Sequence, residues 1–373
     1  MKLYNWLDQR LPLTWTKKHL EEPLPRHMNW LFSLGAVVFF LLILQAVTGA
    51  FMAFYYSPSP EHAYNSVQYI TNEVTFGRFI RGLHHYGASA MVIAVFLHLL
   101  RVFFFASYKR PREVTWIVGV TLLLIVFGFG FTGYLLPWDQ KAYWATVVGT
   151  QIPGTVPIIG QPLMKVLQGG DEVGAVTLTR FYALHIIFLP AAAFLLVALH
   201  LLLIRLHGSS GLPRNTEGEM KSGKPFYPYQ LFEDSLFCLI VFVIIALFAL
   251  FRTVPMEAVA DPTDATFIPR PDWYFLFLFQ LLKYFEGPFE ILGTFLIPNL
   301  LILLLLLVPF LDRKSERRIV KRPIATGVFT FLVLGVITLT LLAWFEDRGL
   351  KKEAQEPPPV EEIQEEESIF ELD

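Results

Sequence analysis

Cysteine is almost absent from this chain, because Cys238 is the single one among 373 residues. One thiol excludes an intrachain disulfide, a cysteine-ligated iron–sulfur cluster and a haem attached through a CxxCH motif. Charged residues are also scarce, at 17%, against 54% hydrophobic and 15% aromatic residues. A typical soluble domain has about 25% charged residues, so this composition argues against that class and indicates a membrane protein.

Long stretches of the chain lack charge altogether. Four of them are long enough to cross a hydrocarbon core of about 30 Å, and they cover residues 31–54, 116–136, 291–311 and 323–345. Three further spans lie at 79–105, 178–206 and 236–251. The predicted fold is therefore all-α: a polytopic membrane protein with seven transmembrane helices, arranged as a four-helix bundle followed by three helices.

Lysine and arginine are sparse in alternate loops. They cluster before the first span and after the second, fourth and sixth spans, and they are few in the loops 55–78, 137–177 and 252–289. The positive-inside rule therefore places the N-terminus in the cytoplasm and the C-terminus on the outer side of the membrane.

The composition divides the chain into five predicted segments. Residues 1–30 form a cytoplasmic interfacial segment, 31–210 the four-helix domain, and 211–231 a cytoplasmic linker rich in Gly, Pro and charge. Residues 232–346 form a three-helix domain with a long outer loop, and 347–373 form an acidic tail. Residues 353–373 carry nine acidic and no basic side chains, which predicts disorder.

Two of the spans each contain a pair of histidines. His84 and His98 are 14 residues apart, and His185 and His200 are 15 apart. The rings of a pair are then about 21–22 Å apart along the helix and lie on roughly one side of it. If the helices face each other antiparallel, His84 pairs with His185 near the outer face and His98 with His200 near the cytoplasm. A single helical histidine is more often a core residue, but four at matched spacing predict two bis-histidine b haems.

Glycine and arginine spacing supports this interpretation. Four glycines in the first and third spans repeat the 14-residue interval, namely Gly35, Gly49, Gly119 and Gly133. Single glycines in membrane helices usually mark close packing, whereas this ladder predicts room for the edges of two macrocycles. Arg81 and Arg101 each lie three residues from a ligand histidine and share its helix face, so we expect them to neutralise haem propionates.

Several motifs resemble cytochrome b of the Rieske/cytochrome b complexes. They are RGLHHYGAS at 81–89 with FLHLLR at 96–101, GYLLPWDQ at 133–140, TRFYALH at 179–185 and PDWY at 271–274. The resemblance covers residues 1 to about 346. The seven spans and the 15-residue interval are similar to the photosynthetic cytochrome bf type, in which the two blocks are separate polypeptides. The continuous chain indicates a fused bacterial form.

The resemblance implies a cytochrome b subunit of a quinol:cytochrome c, or equivalent acceptor, oxidoreductase in a bacterial plasma membrane. Electrons would pass through the two haems from an outer quinol-oxidation site to an inner quinone-reduction site, contributing to a proton gradient. The implied partners are a Rieske iron–sulfur subunit, a cytochrome c type subunit or soluble acceptor, membrane lipid and a second copy in a homodimeric complex. No nucleic-acid partner is expected.

The resemblance also places an outer quinol site, whose implied residues are Pro271, Asp272, Trp273, Tyr274, Tyr134, Pro137 and Trp138. The implied catalytic residues are Asp272, Tyr274 and Tyr134. Asp272 stands where the family motif PEWY has glutamate, which accepts a proton from the quinol. Since Trp and Tyr favour the membrane interface, the motif by itself is also typical of an interfacial aromatic turn.

The inner face departs from the photosynthetic relatives. They attach an extra haem through a cysteine at the start of the first helix, and Ser33 occupies that position here. A third haem near Ser33 is therefore either absent or held without a covalent link. Arg205, five residues beyond His200, is implied at the inner quinone site, and the other interpretation is an arginine that snorkels to the interface.

Two other classes of protein stay open from the residues. A di-haem b membrane anchor of a dehydrogenase or reductase would also use paired helix histidines, but it would need neither the second three-helix block nor the PDWY loop. A transporter without haem would use the intramembrane charges for its substrate. The acidic tail is predicted on the outer side, either as a plain solvated segment or as a surface that attracts a basic cytochrome c.

Overall fold

The computed structural model describes residues 2–11, 14, 17, 20–25, 28–213, 223–264 and 267–353, with the backbone alone at 2, 3 and 347–353. Seven helices have the length and apolar character to cross a membrane, and they are α1 (Trp30–Ala53), α2 (Gly77–Phe104), α3 (Glu113–Tyr134), α4 (Ala175–His207), α5 (Phe226–Phe251), α6 (Gly287–Leu311) and α7 (Pro323–Glu346). No β-strand occurs in the described ranges. The prediction of an all-α, seven-span membrane protein is confirmed.

The helix ends differ from the predicted spans where charge interrupts an apolar run. α5 begins at Phe226 rather than at 236, and its regular α-helical part, which starts at Leu231, has Glu233 and Asp234 in its first turn. Acidic residues are favourable there, since the positive end of the helix dipole faces them. The last helix continues to Glu353, into the predicted tail. The rest of that tail, 354–373, and residues 214–222 of the linker lie outside the described residues.

Two of the spanning helices contain a π turn that ends two residues before a proline. The turns are Leu184–Phe188 in α4, before Pro190, and Leu292–Leu296 in α6, before Pro298. Proline lacks the backbone N–H that an α-helix needs and its ring crowds the preceding turn. A π turn takes in one extra residue where the regular ladder is interrupted, and such turns often occur at functional sites.

The two predicted blocks of helices pack against each other. α1, α2 and α5 share an apolar cluster that includes Leu41, Met91 and Ala249. A Cβ atom built on Gly82 would lie 2.8 Å from the Cβ of Ala249, so glycine permits the close approach of α2 and α5. At the end predicted to face the cytoplasm, which is called the inner end below, Phe103 stacks on Phe329 of α7 with ring centres 3.6 Å apart.

Short helices cover the end of the bundle that the sequence predicts to face outward, which is called the outer end below. They are Ala63–Asn72, Gln140–Gln151, Gly160–Gln168 and the apolar segment Trp273–Leu282. Asp139 caps the second of them by accepting a hydrogen bond from the N–H of Ala142 at 2.8 Å. The backbone then pairs with the loop after α5, because the N–H of Gln140 donates to the carbonyl of Ala258. This pairing brings residues 134–141 beside the PDWY segment.

Candidate functional site: two histidine pairs and an outer carboxylate

His84 of α2 and His185 of α4 face each other across the bundle. Their ring centres are 6.3 Å apart, with an angle of 66° between the ring planes. Bonds from a metal to an imidazole nitrogen are about 2 Å long, so two rings that share one metal have centres about 6 Å apart. The separation therefore fits an iron held from both sides. No cluster of three or more His, Cys, Asp or Glu side chains suited to another metal occurs in the described part of the chain.

The inner pair repeats the arrangement one level deeper. His98 and His200 lie close enough to interact electrostatically. Protein atoms do not cover any of the four histidine side chains completely, although they lie within spanning helices. The protein thus leaves space beside each ring, as a bound macrocycle requires.

The four ladder glycines each face one of these rings. A Cβ atom built on the glycine would lie 2.5–3.3 Å from the Cε1 atom of a histidine: Gly49 with His84, Gly133 with His185, Gly35 with His98 and Gly119 with His200. Real Cβ atoms essentially never approach closer than about 3 Å, and the contact at Gly133 is the closest. The glycines therefore make room for the imidazoles themselves, a closer contact than the sequence indicated.

The π turn of α4 explains the unequal spacing of the two histidine pairs. His185 lies in the turn Leu184–Phe188, directly before Pro190. Because a π turn takes in one residue more than an α turn, the 15-residue interval of α4 spans the same helical distance as the 14-residue interval of α2. Both members of the α4 pair can then face α2.

Two threonines, which the sequence analysis did not identify, orient the outer histidines. The Thr48 hydroxyl donates to the carbonyl of Leu44 at 2.7 Å and lies 2.9 Å from Nδ1 of His84. Thr132 does the same at His185, with 3.1 Å to Nδ1. A hydroxyl that donates to a carbonyl accepts from Nδ1–H, which leaves Nε2 as the free metal ligand. The sequence signal that could have identified these threonines is their position directly before Gly49 and Gly133.

The inner level lacks such threonines. Leu34 and Val118 precede the inner glycines. Nδ1 of His98 is buried and has no hydrogen-bond partner among the described residues.

The two arginines expected near propionates have different surroundings. Arg81 is 8% exposed and donates to Thr71 at 3.1 Å and to the carbonyl of Pro255 at 3.3 Å, so it ties α2 to the segment after α5. Arg101 lies over the ring of Phe32 at 3.9 Å, and its buried Nε has no partner in the described structure. Arg101 therefore has a free N–H for an acidic group, whereas the role of Arg81 at a propionate stays a prediction.

The outer site gathers residues from three parts of the chain around Asp272. Its Oδ1 forms an ion pair with Lys141 at 3.0 Å, and Tyr274 donates to Oδ2 at 3.2 Å. Tyr134 donates to the carbonyl of Arg270 at 3.2 Å, and its ring lies 5.2 Å from the Lys141 ammonium. The structure thus brings Asp272, Tyr274 and Tyr134 together and adds Lys141, which the sequence analysis did not single out.

Other predicted members of this site lie around it. The Trp273 indole donates to the Ser89 hydroxyl of α2 at 3.3 Å. Trp138 is buried in the neighbouring apolar cluster against Tyr143, with ring centres 5.7 Å apart. Its φ of +53° lies in the left-handed region, which a bulky residue adopts only when its packing holds it there. Pro137 and Pro271 are half-buried beside these residues.

At the inner face, the two predicted residues contact other parts of the protein. Ser33 is 1% exposed, and its hydroxyl accepts from the side-chain amide of Gln230 at 3.4 Å. The half-exposed guanidinium of Arg205 pairs with Glu22 at 3.2 Å. Their roles at a third haem and an inner quinone site stay predictions.

Seven spans with facing histidine pairs at two levels define a class of membrane proteins suited to hold two haems inside a helix bundle. The family described as Cytochrome b/b6/petB matches residues 19–208, and the family described as Cytochrome b(C-terminal)/b6/petD matches residues 259–351. The chain therefore belongs to the cytochrome b/b6 family, as the motifs predicted.

Individual relatives extend the match over nearly the whole chain. The menaquinol:cytochrome c reductase cytochrome b subunit of Geobacillus thermodenitrificans is 48% identical over 220 residues, which is 98% of that protein and 56% of this chain. The cytochrome bc complex cytochrome b subunit of Chlorobaculum thiosulfatiphilum is 35% identical and covers 93% of this chain and 82% of its own length. A chain of a hyperthermophilic respiratory Complex III structure superposes with a TM-score of 0.80 at 28% identity, covering 91% of this chain and 90% of that one.

Proposed function

We propose that this protein is the cytochrome b subunit of a quinol:cytochrome c oxidoreductase complex and carries electrons across the membrane from an outer quinol-oxidation site to an inner quinone-reduction site. The observation that carries the proposal is the combination of two facing histidine pairs with the carboxylate of Asp272 at the outer end of the same bundle. The name of the Geobacillus relative favours menaquinol as the substrate.

The histidines are the proposed haem ligands. His84 with His185, and His98 with His200, would each hold one b haem through Nε2. The bound haems supply one-electron carriers at two depths of the membrane. Thr48 and Thr132 keep the outer imidazoles in the ligating tautomer, and the glycines keep helix side chains away from the rings. Arg101 offers its free N–H to an inner propionate.

Asp272 is the proposed proton acceptor for the quinol. Its carboxylate has one oxygen on Lys141 and the other on the Tyr274 hydroxyl, so the acid is oriented before a substrate arrives. The aromatic residues Tyr134 and Tyr274 lie beside it, and the carboxylate side chain is 24% exposed. One electron of the quinol leaves to a Rieske-type iron–sulfur subunit, and the other enters the bundle at the level of His84 and His185.

The inner site and the assembly complete the proposal. Quinone would be reduced near Arg205, with proton uptake from the cytoplasm, so that turnover contributes to a proton gradient across a bacterial plasma membrane. A third haem at this face would have to be held without a bond to Ser33. The proposed partners are the Rieske subunit, a cytochrome c type acceptor, membrane lipid and a second copy of the complex. The N-terminus would face the cytoplasm and the C-terminus the outer side.

The test is Asp272→Asn in the assembled complex. Loss of the proton acceptor should lower quinol-dependent reduction of the acceptor by about 100-fold or more, while a pyridine haemochrome assay still finds two b haems for each chain. Asp261→Asn is the matched control, because this exposed carboxylate lies in the same outer loop and, among the described residues, accepts hydrogen bonds from Thr263 alone. Unchanged turnover in Asp272→Asn would overturn the outer-site assignment. If the parent chain bound no haem, the transporter interpretation would be favoured instead.

A further inference from the structure

Lys141 occupies a position that is unfavourable for a lysine by itself. It lies in the first turn of the helix Gln140–Gln151, where the positive end of the helix dipole repels a cation. Its ammonium contacts the carboxylate of Asp272 at 3.0 Å, and the two side chains are 32% and 24% exposed. The residues are far apart in the chain, so the fold alone brings them together. The contact with Asp272 offsets the unfavourable position of Lys141.

The groups that face Asp272 come from four elements. Lys141 contacts it from the outer helix, and Tyr274 donates to it from its own segment. Tyr134 of α3 and His85 of α2 lie within electrostatic range of the carboxylate. Among the described residues, Lys141 is the cation in direct contact with the carboxylate.

We propose that Lys141 is a positioning residue for quinol oxidation, which holds the carboxylate of Asp272 in place through their 3.0 Å ion pair. This inference rests on the proposed function above. In the step, the O–H bond of the quinol breaks and a new O–H bond forms on Asp272, while the electron leaves to the iron–sulfur partner. The Lys141–Asp272 pair then changes from zero net charge to +1, which favours release of the proton to the outer aqueous phase.

The experiment measures kcat and KM of the assembled complex, with 2,3-dimethyl-1,4-naphthoquinol as the substrate. Lys141→Met keeps the aliphatic stem and removes the charge. Its kcat should fall about tenfold, because the carboxylate loses the contact that orients it, while its KM for the quinol should change by less than about threefold. Lys141→Arg should restore kcat to within about threefold, because it keeps a cation beside the carboxylate.

Two controls separate this inference from a structural effect. Lys165→Met removes the cation of another outer lysine–aspartate pair, the exposed contact with Asp171, and should leave kcat unchanged. Lys141→Gln provides a second neutral variant if Lys141→Met does not assemble, as judged by haem content. An unchanged kcat in the neutral variants, or a loss of kcat that Lys141→Arg does not restore, would overturn the role of Lys141. If Asp272→Asn keeps full turnover, the outer-site proposal itself fails, whatever the lysine variants show.

Discussion

At the scale of single residues, the histidine sites depend on the small residues beside the rings as much as on the histidines themselves. Each ligand ring lies against a glycine, and the outer rings also have a threonine hydroxyl on Nδ1. A methyl group at the glycine would move the imidazole, because a ring held inside a bundle has little space to give. The histidines specify the ligand atom, and their small neighbours specify its position.

Gly133→Ala tests this dependence at the closest contact. The added Cβ would lie 2.5 Å from Cε1 and 3.2 Å from Nε2 of His185, so we expect loss or spectral change of the outer haem and retention of the inner one. The measurement is haem content with a potentiometric optical titration. Gly128→Ala, on the same helix, is the control because its Cβ would meet Leu189 at an ordinary 3.6 Å. Equal behaviour of the two variants would contradict the assigned contact.

At the scale of elements, α4 is the helix in which the spacing of the two histidines departs from that of α2. Fifteen regular α-helical steps would turn His200 about 60° away from the direction that matches His185. The π turn before Pro190 takes in the extra residue and brings the two rings back to one side. The π turn therefore accommodates one extra residue between the two histidines, and the described helix α4 contains no second π turn that could accommodate another.

Changes in the length of α4 should therefore be asymmetric. Deletion of Ile187, which is 56% exposed within the π turn, should leave two haems for each chain because the remaining 14-residue interval suits a regular helix. Insertion of one alanine after Leu195 should cost at least one haem, since it rotates His200 by about 100°. Haem content of the assembled chain is the measurement. Retention of both haems in the insertion variant would argue against the proposed register.

At the scale of the whole molecule, a buried ionic cluster joins the first block of helices to the second at the inner face. Asp312, after α6, accepts from Tyr108 at 2.6 Å and pairs with Lys109 at 2.8 Å and with Arg322 at 2.9 Å. Arg322 is 4% exposed. Burial alone would raise the pKa of Asp312, but the hydrogen bonds from Lys109, Tyr108 and Arg322 outweigh it and lower that pKa. The cluster connects the loop after α2 with the turn between α6 and α7.

Asp312→Asn should destabilise the protein by about 2 kcal/mol at neutral pH, because it leaves two cations without their carboxylate. A carboxyl whose pKa is lowered by folding stabilises the fold above its unfolded pKa, and this contribution is lost as the pH falls through the folded pKa. The difference in melting temperature between variant and parent should therefore be largest near pH 7 and shrink in acid. Glu21→Gln, at an exposed pair with Lys17, is the control and should change nothing measurable. A difference that is independent of pH would contradict the ionic role.

The sequence by itself determined the seven spans, the all-α class, the two histidine pairs and the family motifs, because apolar length and residue spacing are local properties of the chain. It also led us to expect that His84 pairs with His185, and the structure places those two rings together. The tertiary structure was needed to show that each ladder glycine faces an imidazole and that Trp138 packs into the apolar cluster. It was also needed to show the ion pair between Lys141 and Asp272. Such contacts join residues far apart in the chain, and they depend on how helices of similar composition pack against one another.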